Sequence, residues 1–189
     1  MATDTKTTLL NSAERAARRR GFDGFSYADL AADVGITKAS IHHHFASKAA
    51  LAVALMQRYY SDLETACGEI DLDHATGAAR LSALIKRYRD ALEGGQSLCL
   101  CVSFSTSTEN LSADTIAEMN RFRTMMTEWL ARVFSLGQGD GTILHVADPA
   151  AEAAATLPLL EGAQLAARVA QDPQRFEAAV QIMSKRLVQ

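Results

Sequence analysis

Proline is scarce in this sequence, with only three residues, and aromatic residues make up only 6% of it. No sustained alternation of apolar and polar residues suggests a strand, while alanine and other helix-forming residues are abundant. No apolar run approaches the roughly 18 residues of a membrane-spanning helix. These absences argue against a β-rich or membrane-spanning fold and predict helices almost throughout.

Cysteine is also rare, and its odd number argues against a secreted disulfide framework. Cys67, Cys99 and Cys101 fit reduced intracellular thiols better. The first residues, 1–8, are polar and lack the apolar core of a signal peptide. We therefore expect a cytoplasmic protein.

The charge is distributed unevenly, although the net charge is only −3. Residues 1–48 hold seven basic and five acidic side chains, whereas residues 49–189 hold twelve basic and seventeen acidic ones. A mildly basic head on an acidic body is compatible with a DNA-facing end, because phosphate contacts dominate DNA affinity. We predict a DNA-binding domain over 1–48 and a larger domain over 49–189, with about nine helices in all.

One stretch of the head, residues 26–48, reads as two short helices joined by a tight turn. Ser26 is a helix cap with Asp29 three residues later, and Gly35 stands where a left-handed residue is needed. Thr37 caps a second helix that extends to about Phe45. This spacing predicts a helix-turn-helix, whose second helix enters the DNA major groove. An ordinary helical hairpin could share the same spacing.

The segment FSYADLAADVGITKASIHHHFASKAAL resembles the N-terminal domain of the TetR (tetracycline-repressor-like) transcriptional regulators. The resemblance is specific over about Thr5–Leu55 and looser over the rest of the chain. It departs from the usual pattern at Ala39, where glycine is common, and at His42, where tyrosine is common. The resemblance implies that DNA is contacted by Ser26, Tyr27, Thr37, Lys38, Ser40, His42, His43, His44 and Lys48. Of these, Ser26, Tyr27 and Lys48 are expected on phosphates.

The histidine triplet, His42 to His44, also suggests a metal site at first sight. Consecutive side chains on a helix point about 100° apart, so the three imidazoles cannot converge on one ion. We therefore expect no metal and no cofactor.

The resemblance further implies that the last two predicted helices pair in a homodimer and that the body binds a small-molecule effector. The candidate pocket residues are Tyr59, Tyr88, Cys99, Phe104, Phe122, Met125, Met126 and Trp129. Plain core packing is the alternative role for each of them.

Cys99 is the candidate sensor. The stretch SLCLCVSFS predicts a short buried helix over about 97–107, with a strand as the alternative. A thiol at the start of a helix gains reactivity. The stretch is similar to Gly-Cys-Leu segments in a TetR subset, some of which sense electrophiles or oxidants, although Leu98 replaces the glycine. A buried cysteine serving as a small apolar residue is the alternative.

The sequence thus predicts an all-α protein that works as a ligand-responsive transcriptional regulator. A repressor is favoured, one that a small molecule or an electrophile releases from a palindromic operator. The alternative is a ligand-binding or adaptor protein of the same fold that does not bind an operator. An enzyme is disfavoured, because no nucleophile–base pair, phosphate loop or metal-ligand spacing is present.

Overall fold

The computed structural model describes residues 4–188, which form nine α-helices and no strand. The helices are α1 (Thr5–Arg20), α2 (Tyr27–Val34), α3 (Lys38–His44), α4 (Lys48–Asp73), α5 (Gly77–Asp90), α6 (Leu100–Ser105), α7 (Ala113–Gly139), α8 (Pro149–Ala170) and α9 (Gln174–Ser184). The prediction of an all-α protein with a helix-turn-helix head is confirmed.

Local capping signals explain where several of these helices begin. Ser26 Oγ accepts the backbone N–H of Asp29, and the Asp29 carboxylate accepts the backbone N–H of Ser26 at 2.7 Å. This reciprocal capping box satisfies donors that the first turn of α2 leaves open, and it lowers the pKa of Asp29. Asp148 accepts the N–H of Ala150 at 2.9 Å, ahead of a proline at the start of α8.

The chain divides into two compact units. The first contains the residues up to Ser61 together with Leu100–Arg121, and it holds α1, α2, α3, α6 and the first parts of α4 and α7. Helix α6 packs on α1, and the ring of Phe104 lies 5.1 Å from that of Phe22. The predicted boundary between residues 48 and 49 falls at the start of α4 and stays a prediction.

The second unit contains Asp62–Cys99 and the chain from Phe122 onward. Helices α8 and α9 make its most extensive helix–helix contact, around buried side chains such as Leu160 and Phe176. Arg186 follows α9 and secures the loop before α8, because its guanidinium binds the carbonyls of Leu144 and His145 and the carboxylate of Glu152. Within residues 4–188, no helix is long and apolar enough to cross a membrane.

Helix α6 is shorter than predicted, covering six residues instead of the expected 97–107. Residues 97–99 have no regular secondary structure, and the N–H of Cys99 bonds to a side chain instead of a helical carbonyl. Cys99 therefore precedes the helix.

The start of α5 packs closely against the end of α7, and two glycines at this contact, Gly77 and Gly137, leave no room for a side chain. A Cβ built on Gly77 would lie 2.3 Å from the Cα of Gly137, and one on Gly137 would lie 2.3 Å from the side chain of Ile143. The N–H groups of Gly77 and Ala78 bond to Asp140 and Thr142, which fixes this approach. Glycine is needed here for packing.

Gly77→Ala should therefore lower the free energy of unfolding by about 1–3 kcal/mol, because the added methyl meets backbone that cannot yield. The matched control is Gly68→Ala on an exposed turn of α4, where a Cβ meets nothing within 4 Å. That change should stabilise the protein by about 0.5–1 kcal/mol. Urea unfolding at one protein concentration measures both, and equal stabilities for the two variants would contradict the close approach.

Candidate DNA-binding surface and effector-binding body

The turn between α2 and α3 is built around Gly35, whose backbone is left-handed at φ 75° and ψ 34°. The N–H groups of Gly35 and Ile36 both bond to the carbonyl of Ala31, which closes the end of α2. Leu30 and Ile41 are fully buried and hold the two helices against the core of the first unit. The sequence predicted this turn from the glycine alone.

The opposite face of α3 is polar and faces solvent. Thr37, Lys38, His42 and His43 are exposed, while Ser40 and His44 are partly exposed. Thr37 Oγ1 caps the helix by accepting the N–H of Ser40 at 3.1 Å. All six side chains predicted to read DNA thus lie on one short helix and its cap.

Tyr27 connects the start of α2 to the end of α3. Its hydroxyl donates to the carbonyl of Phe45 at 3.0 Å, and burial raises the pKa of Tyr27 to about 12. Its ring meets the imidazole of His42 edge-on, with centroids 4.9 Å apart. The phenol therefore supports the recognition helix; a phosphate contact from Tyr27 stays a prediction.

Lys48 has a structural role that the sequence did not reveal. Its ammonium donates to the carbonyl of Phe25 at 2.6 Å and lies 4.6 Å and 4.4 Å from the ring centroids of Phe22 and Phe25. Burial lowers the pKa of Lys48. The side chain thus joins α4 to the loop before α2. Like Ser26, whose hydroxyl is engaged in the cap, Lys48 remains a predicted phosphate contact.

The candidate pocket residues are divided between the two units. Tyr59 and Phe104 belong to the first unit, whereas the other six belong to the second. All are buried except Met125, which is half-buried. The indole N–H of Trp129 donates to Asp71 at 3.1 Å, and Asp71 also pairs with Arg80 at 2.8 Å. Their role in binding an effector stays a prediction.

Gln164 is a buried polar residue whose structural role the sequence did not reveal. Its side chain is fully buried on α8, and both the oxygen and the nitrogen of its amide form hydrogen bonds with the main chain. Its Oε1 accepts the N–H of Cys99, and its Nε2 donates to the carbonyl of Tyr88, both at 2.8 Å. A glutamine on the buried side of an alanine-rich helix was the available signal. Gln164 thereby fixes the chain just before α6.

The cysteines differ in what their surroundings allow. Cys99 is only 2% exposed. Cys67 lies on α4, and its Sγ is 3.9 Å from the Sδ of Met126. Burial raises the pKa of the Cys67 thiol to about 12, so it stays protonated and poorly nucleophilic at neutral pH.

A buried carboxylate, also unforeseen, lies on α8. Glu161 pairs with Arg123 of α7 at 2.9 Å, and burial raises the pKa of its carboxyl. The ion pair offsets part of the cost of burying the carboxylate and joins α7 to α8.

Comparison with known proteins agrees with this arrangement. The family model "Bacterial regulatory proteins, tetR family" matches residues 9–55, which contain the whole helix-turn-helix. The chain is 26% identical to the HTH-type transcriptional repressor NemR of Escherichia coli K12 over 182 residues, covering 94% of this chain and 90% of that protein. The helix-turn-helix thus matches the TetR family, and the whole chain is similar to regulators of that family.

Another relative is the HTH-type transcriptional repressor DhaR of Mycobacterium sp. strain GP1. The two sequences are 25% identical over a region that covers 75% of this chain and 71% of DhaR. A TetR-family regulator from Agrobacterium tumefaciens superposes with a TM-score of 0.91 at 27% identity over 97% of both chains. The reduced form of E. coli NemR shares the fold, with a TM-score of 0.83 at 23% identity over 98% of both chains. The family-model match and the similarity to named transcriptional repressors identify a DNA-binding transcriptional regulator.

The two lysines near α3 should respond differently to substitution. Lys48→Met removes the bond to Phe25 and the contacts with both rings, so the free energy of unfolding should fall by about 1–2 kcal/mol. Lys38→Met, on the exposed face, should change it by less than about 0.5 kcal/mol. Urea unfolding followed by circular dichroism separates the two, and an unchanged stability in Lys48→Met would refute the structural role of Lys48.

Proposed function

We propose that this TetR-family protein is a homodimeric repressor that acts in the cytoplasm. Its two α3 helices read the halves of a palindromic operator, and an effector bound by the body releases it from DNA. The observation that carries the proposal is the polar, exposed face of α3. Both α2 and α3 are capped, and their inward residues Leu30 and Ile41 are buried. Two relatives, NemR and DhaR, are named as transcriptional repressors, which favours repression over activation.

The DNA contacts follow from the exposed side chains. Thr37, Lys38, Ser40 and His42 to His44 are proposed to meet base edges and phosphates in the major groove. Ser26, Tyr27 and Lys48 are proposed to meet phosphates beside it, where the N-termini of α2 and α4 offer backbone N–H groups.

Operator binding is tested with duplexes selected from a randomised library and with the gene's own upstream region. The protein should bind a palindrome, and Lys38→Met should reduce both the affinity and the salt dependence of binding, because one phosphate contact is lost. Fluorescence anisotropy over a series of salt concentrations measures both effects. A folded protein that selects no duplex would instead favour the alternative, an adaptor of the same fold that does not bind DNA.

The proposed dimer interface is the exposed face of α8. Each exposed residue of this helix is apolar or glycine: Ala150, Ala151, Ala154, Ala155, Pro158, Gly162, Leu165, Ala166, Val169 and Ala170. A surface helix normally presents polar side chains to water, so this face is suited to burial against another protein surface. Ile182 of α9 is 67% exposed and extends the apolar surface.

Gly162 supports the same interface. It lies in the middle of an exposed helix face, where glycine is unfavourable, and a Cβ there would meet nothing within 4 Å. A second helix approaching closely would account for it, because small residues let helices pack at short distance. Twofold pairing of α8 and α9 would present two α3 helices to a palindrome.

Val169→Asp should convert the dimer into a monomer, because a buried charge without a partner is strongly unfavourable. The matched control is Leu72→Asp on α4, since Val169 and Leu72 are 86% and 88% exposed. Sedimentation equilibrium at micromolar concentration should give a dimer for the wild type and the control, and a monomer for Val169→Asp. Two dimeric variants would argue against this interface.

The effector site is proposed among the second-unit residues of the candidate set. Tyr88, Phe122, Met126 and Trp129 are large buried side chains, and half-buried Met125 is adaptable in shape. Their composition favours an apolar or aromatic ligand. A ligand that binds one conformation of the body more tightly would shift the protein toward the state that leaves DNA.

Cys99 is proposed as the site where an electrophile could act. Its low exposure leaves no space for an adduct, so modification would have to displace neighbouring atoms. The N–H of Cys99 is held by Gln164, and the next residue begins α6, which packs on α1 of the head. An adduct on Cys99 would therefore disturb the helix that supports the DNA-binding surface.

A quinone or hypochlorite should release the wild-type protein from its operator, whereas Cys99→Ser should stay bound. Cys67→Ser is the matched control, because that thiol is protonated at neutral pH and should not affect release. Mobility-shift assays at increasing reagent concentration, with mass spectrometry of the modified peptide, measure both effects. Identical release in wild type and Cys99→Ser would end the proposal for Cys99 and leave operator binding untouched.

A further inference from the structure

His42 is the residue of the recognition helix whose ring is held by other parts of the head. Its Nδ1 lies 3.1 Å from the carbonyl oxygen of Ala46, just beyond the end of α3. A carbonyl oxygen only accepts hydrogen bonds, so Nδ1 must carry the proton in this contact. The backbone thus selects one tautomer of the imidazole.

Tyr27 restrains the same ring from the side. Its ring lies edge-on to the imidazole with an interplanar angle of 64°, and its hydroxyl is anchored on Phe45. His43 and His44 contact each other at 5.4 Å between ring centroids. Within the described residues, neither of them makes a side-chain hydrogen bond that would fix its tautomer. His42 is therefore the preorganised member of the triplet.

With the proton on Nδ1, the neutral ring carries its lone pair on Nε2. Nε2 lies on the side of the ring away from Ala46, and His42 is exposed. In the part of the chain that the structure describes, Nε2 makes no hydrogen bond. His42 consequently offers a single, oriented acceptor to whatever faces α3.

We propose that His42 is a specificity-determining residue that reads the exocyclic amino group of an adenine or a cytosine through Nε2. In the major groove these amino groups are the hydrogen-bond donors, whereas guanine N7 and O6 and thymine O4 are acceptors. Neutral His42 therefore matches the amino groups and repels the acceptors. The inference rests on the proposed operator binding by α3.

Because every base pair presents one amino group in the major groove, base identity alone does not test the inference, and functional groups must be removed individually. The probes are the selected operator with 2-aminopurine replacing adenine or pyrimidin-2-one replacing cytosine, which removes the amino group from the major groove. Duplexes with 7-deazapurines remove N7 instead. Binding is measured at pH 8, where an ordinary histidine is neutral.

At one base pair of each half-site, removing the amino group should weaken wild-type binding about fivefold, the effect of one hydrogen bond. His42→Phe should bind the normal and modified duplexes equally, because its ring is also flat and aromatic but has no acceptor. His42→Gln should regain the discrimination, since its amide oxygen also accepts. Comparing variants on one duplex cancels any change in DNA stability.

Equal losses in wild type and His42→Phe on every amino-deleted duplex would overturn the inference. So would a His42-dependent loss that follows N7 removal. In both cases the selected palindrome would still be bound, so operator binding would stand. Failure of wild type to select any duplex would reject the proposed function itself, and with it the role of His42.

Discussion

The polar face of α3 is exposed because Gly35 turns the chain through a left-handed conformation between two capped helices. A side chain at this position would be strained, although the space around it is open. The turn orients α3 so that Ile41 faces the core, while its polar side chains face solvent. The exposure of the polar face of α3 and the position of His42 beside the ring of Tyr27 both depend on this one backbone geometry.

Local features of this fold could be predicted from sequence because their partners lie within a few residues. The cap at Ser26, the turn at Gly35 and the proline start of α8 each involve contacts over two to five positions. The polar face of α3 followed from the same periodicity. The scarcity of proline and the abundance of alanine predicted a helical protein almost throughout, and the nine helices of the described residues bear this out.

Contacts between distant residues could not be predicted in this way. Lys48 reaches Phe25 across 23 positions, and Gln164 reaches Cys99 across 65. Neither the lysine nor the glutamine carries a pattern that names its partner. The same holds for α6, whose predicted start failed because the N–H of Cys99 bonds to a side chain from α8. Such contacts decide which polar residues support the fold and which are available to a ligand.

Gln164 and α6 lie on either side of the point where the chain passes from one unit to the other. In the second unit, Gln164 holds the backbone of Cys99. In the first unit, α6 packs on α1, and Phe104 of α6 meets Phe22 in the loop that follows α1. The chain crosses between the units at residues 99–100, directly beside the candidate sensor thiol.

We propose above that two copies of α3, related by a twofold axis, read the halves of one operator. Hydroxyl-radical footprinting of the protein on its selected operator tests this most directly. We expect two equivalent protected blocks whose centres are separated by about 10 base pairs or a multiple of that spacing, one helical turn of DNA. A single protected block, or two blocks at a spacing that is not a whole number of turns, would contradict it.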